Sequence, residues 1–142
     1  MKAVFNPFTE SLDFVDTPVV KFRVRCLATD QVGQAMCITG DLAGGAYQVT
    51  RVDITEFSKV PTVGVLTLKS SPTSGIVTAS GIIVRAGLIP GRLYFVGANG
   101  FPTATRPTAS SPDGVFVQVL GKALSSSKLL LDISAHLTKV LP

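Results

Sequence analysis

The chain has no Trp, one His and two Cys among its 142 residues, and only 15% of them are charged. Each shortage removes a class of function. A Ser-His-Asp triad would have to use His136, which lies in the C-terminal tail, and no Gly-x-Ser-x-Gly elbow is present. Metal centres need several Cys, His or carboxylates converging; here the nine acids are scattered and no ligand spacing stands out. The glycines of Gly40-Asp41-Leu42-Ala43-Gly44-Gly45 precede no helical pattern, so they form no phosphate cradle. The residues therefore point to no catalytic group, no metal site and no cofactor. No apolar run approaches ~18 residues, which argues against a membrane-spanning helix. Met1 to Pro7 has no apolar stretch of the kind that marks a secretory leader, and synthesis in a cytoplasm is expected.

Charge of one sign is not concentrated either. Thirteen Lys and Arg against nine Asp and Glu give +4, spread along the chain, with no basic block and no aromatic ladder between cations. Neither nucleic acid nor a membrane is an expected partner; a positive protein can equally dock on an acidic protein surface.

What the chain does have is apolar residues, 46% of the total, with 13 Gly and 9 Pro as punctuation. A chain of this length buries enough surface for one core. From Gly81 to Gly121 the pattern is β-strand and turn throughout. Ile82 to Val84 is β-branched, Pro90-Gly91 is a turn, and Leu93 to Val96 is a strand. Asn99-Gly100 is a hairpin signal, and Val115 to Leu120 returns as a strand. Val20 to Leu27 alternates most cleanly. Val20, Phe22, Val24 and Cys26 share one face, and Lys21, Arg23 and Arg25 share the other, as in a half-buried strand. The cationic row reads either as a docking face for an acidic partner or as a row that is simply solvated, or that keeps an edge strand from aggregating.

Further strands are expected over Gln34–Thr39, Tyr47–Ile54 with a bulge at Thr50-Arg51, and Thr62–Lys69. Ile76–Ala79 and Ile82–Val84 are separated by Ser80-Gly81. Val115–Leu124 breaks near Gly121, and Lys128–Ile133 follows, with a last strand or tail at His136–Val140. Gly40–Gly45 reads as a loop, and Thr55–Pro61 as a loop or one helical turn. About nine or ten short strands at spacings of about 8–12 residues indicate an all-β protein. The expected fold is a single antiparallel β-sandwich or barrel, jelly-roll-like, with little helix. The division is an N-terminal arm, 1–18, and a β domain, 19–142. Phe5, Phe8 and Phe14 in the arm either fold back on the core or pack on a neighbouring subunit. Cys26 and Cys37 would face each other across a hairpin turning at Gln31-Val32, but reducing synthesis favours two buried thiols.

Several stretches, in order, resemble small structural proteins of tailed bacteriophages. Asn6-Pro7-Phe8-Thr9 with Leu12-Asp13-Phe14-Val15 resembles their N-terminal motif. Val60-Pro61-Thr62-Val63-Gly64-Val65 is similar to an M-P-A-I-G-V strand. Leu88 to Gly97 with Gly100-Phe101-Pro102-Thr103 is similar to an L-T-P-G-x-x-Y-F-V-G block followed by G-x-P-T. Val117 to Ser125 with Leu129-Leu130-Leu131 resembles the closing block. Residues 28–59 match least. The resemblance implies a capsid decoration, or cement, protein of the virion. It would bind the outside of a shell of major capsid protein, as a homo-oligomer (dimer or trimer), and stabilise the head without catalysis. Related modules in tails and fibres make a carbohydrate- or baseplate-binding module the alternative. The residues proposed to carry the interface are Phe5, Phe8 and Phe14 in the arm, Lys21, Arg23 and Arg25 in the alternating strand, and Arg92 and Arg106 around the Asn99-Gly100 turn.

Overall fold

The computed structural model describes residues 2–6, 11–15, 19–109 and 112–142. Two strands, β1 (Lys2–Asn6) and β2 (Ser11–Val15), pair antiparallel as a hairpin that forms its own two-stranded sheet. Phe5 and Phe14 stand on these strands; Phe8 and the Asn-Pro turn expected beside it lie outside the described residues.

The next five strands close into a barrel. They are β3 (Val20–Arg25), β4 (Ala35–Ala43), β5 (Ala46–Arg51), β6 (Gly64–Ser71) and β7 (Ser74–Val84). The pairing circuit runs β3-β5-β4-β6-β7 and back to β3. All but one of these contacts are antiparallel; β3 and β5 run parallel where Val24 faces Tyr47 and Arg25 faces Gln48. Gly44-Gly45 turns β4 into β5, so the expected glycine loop is a tight turn and β4 extends through Gly40 to Ala43. The irregular pairing lies in β4, on either side of Gly40, while Thr50 and Arg51 keep regular partners. A short 3-10 turn, Phe57–Lys59, follows β5.

β7 is long because it serves two sheets. Its first part pairs with β3 and β6, and its last four residues pair with β12 (Lys128–Leu131), the strand introduced below. The change of partner falls at Gly81, whose φ of +107° bends the strand without ending it. A Cβ there would press on Val19 at 3.0–3.2 Å, so glycine is required by both conformation and space. The two strands expected on either side of Ser80-Gly81 are thus one bent strand.

The second sheet continues from β7 through β12 and β11 (Val119–Ala123) to β8 (Leu93–Val96) and β9 (Pro102–Thr103). The break after β10 (Val115–Val117) comes at Gln118, earlier than the expected Gly121. β10 then pairs with β13 (Thr138–Val140) as a separate ribbon. Pro90-Gly91 forms the expected turn. The Arg92 N–H donates to the Ile89 carbonyl at 3.2 Å, with Gly91 at φ +81° as a type II turn demands. The Ile89 N–H donates to the hydroxyl of buried Tyr94 at 2.8 Å, fixing that turn to the sheet.

Two apolar cores result. Val24, Cys26, Met36, Val49, Leu66 and Val77 fill the barrel. The larger core lies between the barrel wall and the second sheet, with Val65, Val96, Leu120 and Leu129 fully buried in it. β4 and β6 contribute to both: Met36 and Leu66 point one way, Cys37 and Val65 the other. Strands covered on both faces read as continuous apolar runs, which is how Ala35-Met36-Cys37 and Val65-Leu66 look in the sequence. The architecture is the expected all-β barrel and sandwich. Among the described residues no helix is long and apolar enough to cross a membrane.

Candidate functional site

Lys21, Arg23 and Arg25 are exposed on the outer face of β3, spaced two residues apart and so about 7 Å from one to the next. Alternation puts them there: Val24 and Cys26 point into the barrel core. β7 pairs with β3 along its whole length, whereas β5 meets its other edge only at Val24 and Arg25. Among the described residues, Lys21 and Arg23 therefore flank a stretch of β3 that is unpaired on one side, where cations also keep a strand from pairing with another chain.

The surface around the row is mixed. Across the pairing to β7, Lys21, Arg23 and Arg25 lie beside Thr78, Ile76 and Ser74, and Leu68 on β6 is exposed beyond them. At the Lys21 end a groove of about 320 Å³ is lined by Val19, Val32, Ile82, Val84 and Arg85. Val84 is 82% exposed. At the Arg23–Arg25 end a second groove of about 210 Å³ takes in Leu68, Ile76 and Gly75. Both grooves mix apolar side chains with cations and hydroxyls: Lys21, Thr67, Thr78 and Arg85 line the first, and Arg23, Arg25, Ser70 and Ser74 the second.

One end of the barrel is open and apolar as well. β3, β5 and β6 run in the same direction and begin there. A mouth of about 390 Å³ is lined by Val20, Lys21, Phe22, Ile38, Tyr47 and Val63. Phe22 and Tyr47 meet edge to face, ring centroids 5.2 Å apart. Val20 was expected to share the buried face of β3. A register shift between Val20 and Lys21 turns it to the rim instead, where it is 51% exposed.

Arg92 and Arg106 are exposed but belong to the second sheet, one in the turn before β8 and one in the loop after β9, and neither lines the grooves beside β3. The Asn99-Gly100 turn near them faces inward. The Ala35 N–H donates to the Gly100 carbonyl at 2.7 Å, and the amide of buried Gln34 donates to the Asn99 carbonyl at 2.8 Å. This turn ties the second sheet to the barrel and is not a free loop.

The remaining polar groups are structural. The Asp30 carboxylate, buried, accepts from the Leu27 N–H, the Arg51 N–H and the Thr50 hydroxyl. Lys69 donates to the carbonyls of Leu27, Ala28 and Asp30 and holds the same loop. Gln118 joins Thr62 to Ser134. Cys26 and Cys37 are free thiols in different cores, with β5 between their strands, so they do not face each other. Burial pushes both thiols above their ordinary pKa, which keeps them protonated. His136 is exposed, and among the described residues no three His, Cys, Asp or Glu side chains gather as a metal site.

Val32, Ile82, Val84 and Arg85 were not singled out from sequence. Ile82-Ile83-Val84 looks like a core strand, and only the bend at Gly81 shows that its odd-numbered member is buried and its flanking pair exposed. No family model matches the chain, no curated protein matches it, and no solved structure matches it.

Proposed function

We propose that the chain is a structural protein of a tailed-bacteriophage virion, a capsid decoration protein that docks on the outside of the major capsid protein shell and stabilises the head without turnover. The observation that carries this reading is the exposed row of Lys21, Arg23 and Arg25 on β3, with a groove at either end. Such a face suits a broad, shallow partner surface better than a small molecule. The ordered motifs from Asn6 to Leu131 that resemble capsid decoration proteins supply the partner.

Lys21, Arg23 and Arg25 act together in this reading. One exposed ion pair is worth under about 1 kcal/mol, but a capsid offers many copies of the partner. The test is co-sedimentation of the purified protein with undecorated capsids at rising ionic strength. Binding is expected to weaken with salt, and the triple substitution Lys21→Glu, Arg23→Glu, Arg25→Glu is expected to abolish it. Binding that survives the triple substitution removes this face from the interface. Binding to a fibre, baseplate or glycan with none to capsids overturns the role.

A further inference from the structure

We propose that Asn99 is a latent modification site, a deamidation position that the fold holds shut through Gln34. This goes beyond capsid docking and does not depend on it.

The sequence supplies the reactive pair. The chain has two Asn, and Asn6 precedes Pro7, which has no N–H to act as a nucleophile. Asn99 precedes Gly100, which has no Cβ to hinder attack. In the reaction the Gly100 nitrogen gives up its proton and bonds to the side-chain carbonyl carbon of Asn99. The bond from that carbon to the side-chain nitrogen breaks, and ammonia leaves with the proton. Water then opens the cyclic imide at either carbonyl, which leaves aspartate or isoaspartate at this position. Water is the only co-reactant, and no oxidant or reductant takes part.

The fold opposes the attack at several atoms. Asn99 is exposed, but Gly100, which must supply the nucleophile, is buried. The Gly100 N–H donates to the Gly97 carbonyl at 3.0 Å, and a bonded N–H gives up its proton less readily. On either side, the Gln34 amide donates to the Asn99 carbonyl at 2.8 Å, and the Ala35 N–H donates to the Gly100 carbonyl at 2.7 Å. The peptide group joining Asn99 to Gly100 is planar, so its oxygen and nitrogen swing together about the Asn99 Cα–C bond. Any turn of the nitrogen toward the side-chain carbon therefore works against the bond to Gln34. Room to turn is short as well: a Cβ placed on Gly100 would already meet Val52, Gln34 and Ala35 at 3.4–3.6 Å.

Gln34 is the one side chain among these hydrogen-bonding partners; the others are backbone. It is 2% exposed, and its side-chain oxygen accepts from the Gln31 N–H at 2.7 Å, which leaves its amide nitrogen facing Asn99. Deamidation would be one-way for this link. Isoaspartate routes the chain through the side chain and adds a methylene to the turn, so the two carbonyls no longer match Gln34 and Ala35 together. The bonds that tie the second sheet to the barrel would not re-form, and the site would record each productive opening of the turn.

Incubation at mildly alkaline pH tests this, read as the mass gain of the peptide spanning Asn99 and as isoaspartate by enzymatic methylation. The wild type, Gln34→Ala, Leu129→Ala and the wild-type chain unfolded in guanidinium are compared. Leu129→Ala removes a fully buried side chain at a cost at least equal to that of Gln34→Ala, but it leaves the Gln34 contacts in place. Thermal melts establish that both variants are folded at the incubation temperature. If Gln34→Ala melts early, Gln34→Met, which keeps the length without a donor, replaces it. The unfolded chain is expected to react fastest and the folded wild type slowest. The Gln34 variant is expected to react about tenfold faster than the wild type, through local opening of the turn. Leu129→Ala is expected to stay near the wild-type rate. A folded wild type that reacts as fast as the unfolded chain overturns the proposal. So does a Gln34 variant as slow as the wild type. So does Leu129→Ala reacting as fast as the Gln34 variant, which would assign the gate to global unfolding.

Discussion

Met36 and Cys37 are neighbours in β4, yet Met36 lies in the barrel core and Cys37 in the core beneath the second sheet. The two regions share walls but end differently. The second sheet is closed down by its own turns: Tyr94 accepts from the Ile89 N–H, and Asn99-Gly100 is bonded onto β4. The barrel leaves one end open, and it turns a cationic strand outward between two grooves. Both regions keep large apolar side chains at the surface, Leu93 and Leu124 in the second sheet and Val20, Ile38 and Leu68 in the barrel, but in the barrel they line the mouth and a groove. Exposed apolar groups grouped in this way are candidates for contact with a partner.

If the shared strands bind the two regions into one cooperative unit, damage to either core should lower a single transition. Leu66→Ala in the barrel and Leu129→Ala in the second core each remove a fully buried side chain. Each is expected to cost about 2–5 kcal/mol, read from denaturant unfolding followed by both circular dichroism and tyrosine fluorescence. Coincident curves support one unit. Separate transitions, one moved by Leu66→Ala and the other by Leu129→Ala, would show that the barrel folds independently of the sheet.

A smaller change cuts a link between the regions. Gln34 accepts from the Gln31 N–H and donates to the Asn99 carbonyl. Gln34→Ala leaves both groups unpaired and is expected to lose about 1–3 kcal/mol. Amide exchange should quicken around Asn99 and Gly100 more than within β11 and β12. Uniform loss of protection would contradict a local clamp.

The smallest effect concerns pH. Asp53 follows β5, where the chain leaves the barrel for the second core. Burial pushes its carboxyl up, but the Thr55 hydroxyl and N–H, with Lys59 and Arg51 nearby, outweigh that and hold it below its ordinary value. A lowered folded-state value contributes stability that is present above the unfolded carboxylate range, near about 4, and lost as pH falls through the folded value. Asp53→Asn should flatten the acid limb of the stability profile slightly and leave neutral pH nearly unchanged. An unaltered acid limb would mean that these contacts do not persist in solution.

How much of this was legible depended on how each strand is covered. Phe22 to Arg25 was readable because one face is solvent, so alternation survives in the residue types, while the register shift that turns Val20 outward was not. β4 and β6 are buried on both faces, and alternation disappears from them. Ser80-Gly81 looked like a turn, since local chemistry does not reveal whether a positive-φ glycine ends a strand or bends it. The Asn99-Gly100 hairpin was readable for its local shape but not for its direction, because its partners, Gln34 and Ala35, lie far back in the chain. Ring closure by β3 and β7, and the parallel contact of β3 with β5, are long-range pairings with no local signature. The grooves and the mouth exist only because of that closure. The cations of the proposed docking face could therefore be named from sequence, while the grooves beside them could not.

The central claim is that the barrel, through β3, meets the capsid and the second sheet does not. Lysine acetylation of the protein on capsids, compared with the free protein, separates the two regions. Lys21 marks the β3 face, and Lys122 and Lys128 are exposed on the second sheet. Lys21 should become protected on the capsid while Lys122 and Lys128 stay as reactive as in the free protein. Protection of Lys122 and Lys128 with Lys21 still reactive would contradict the claim.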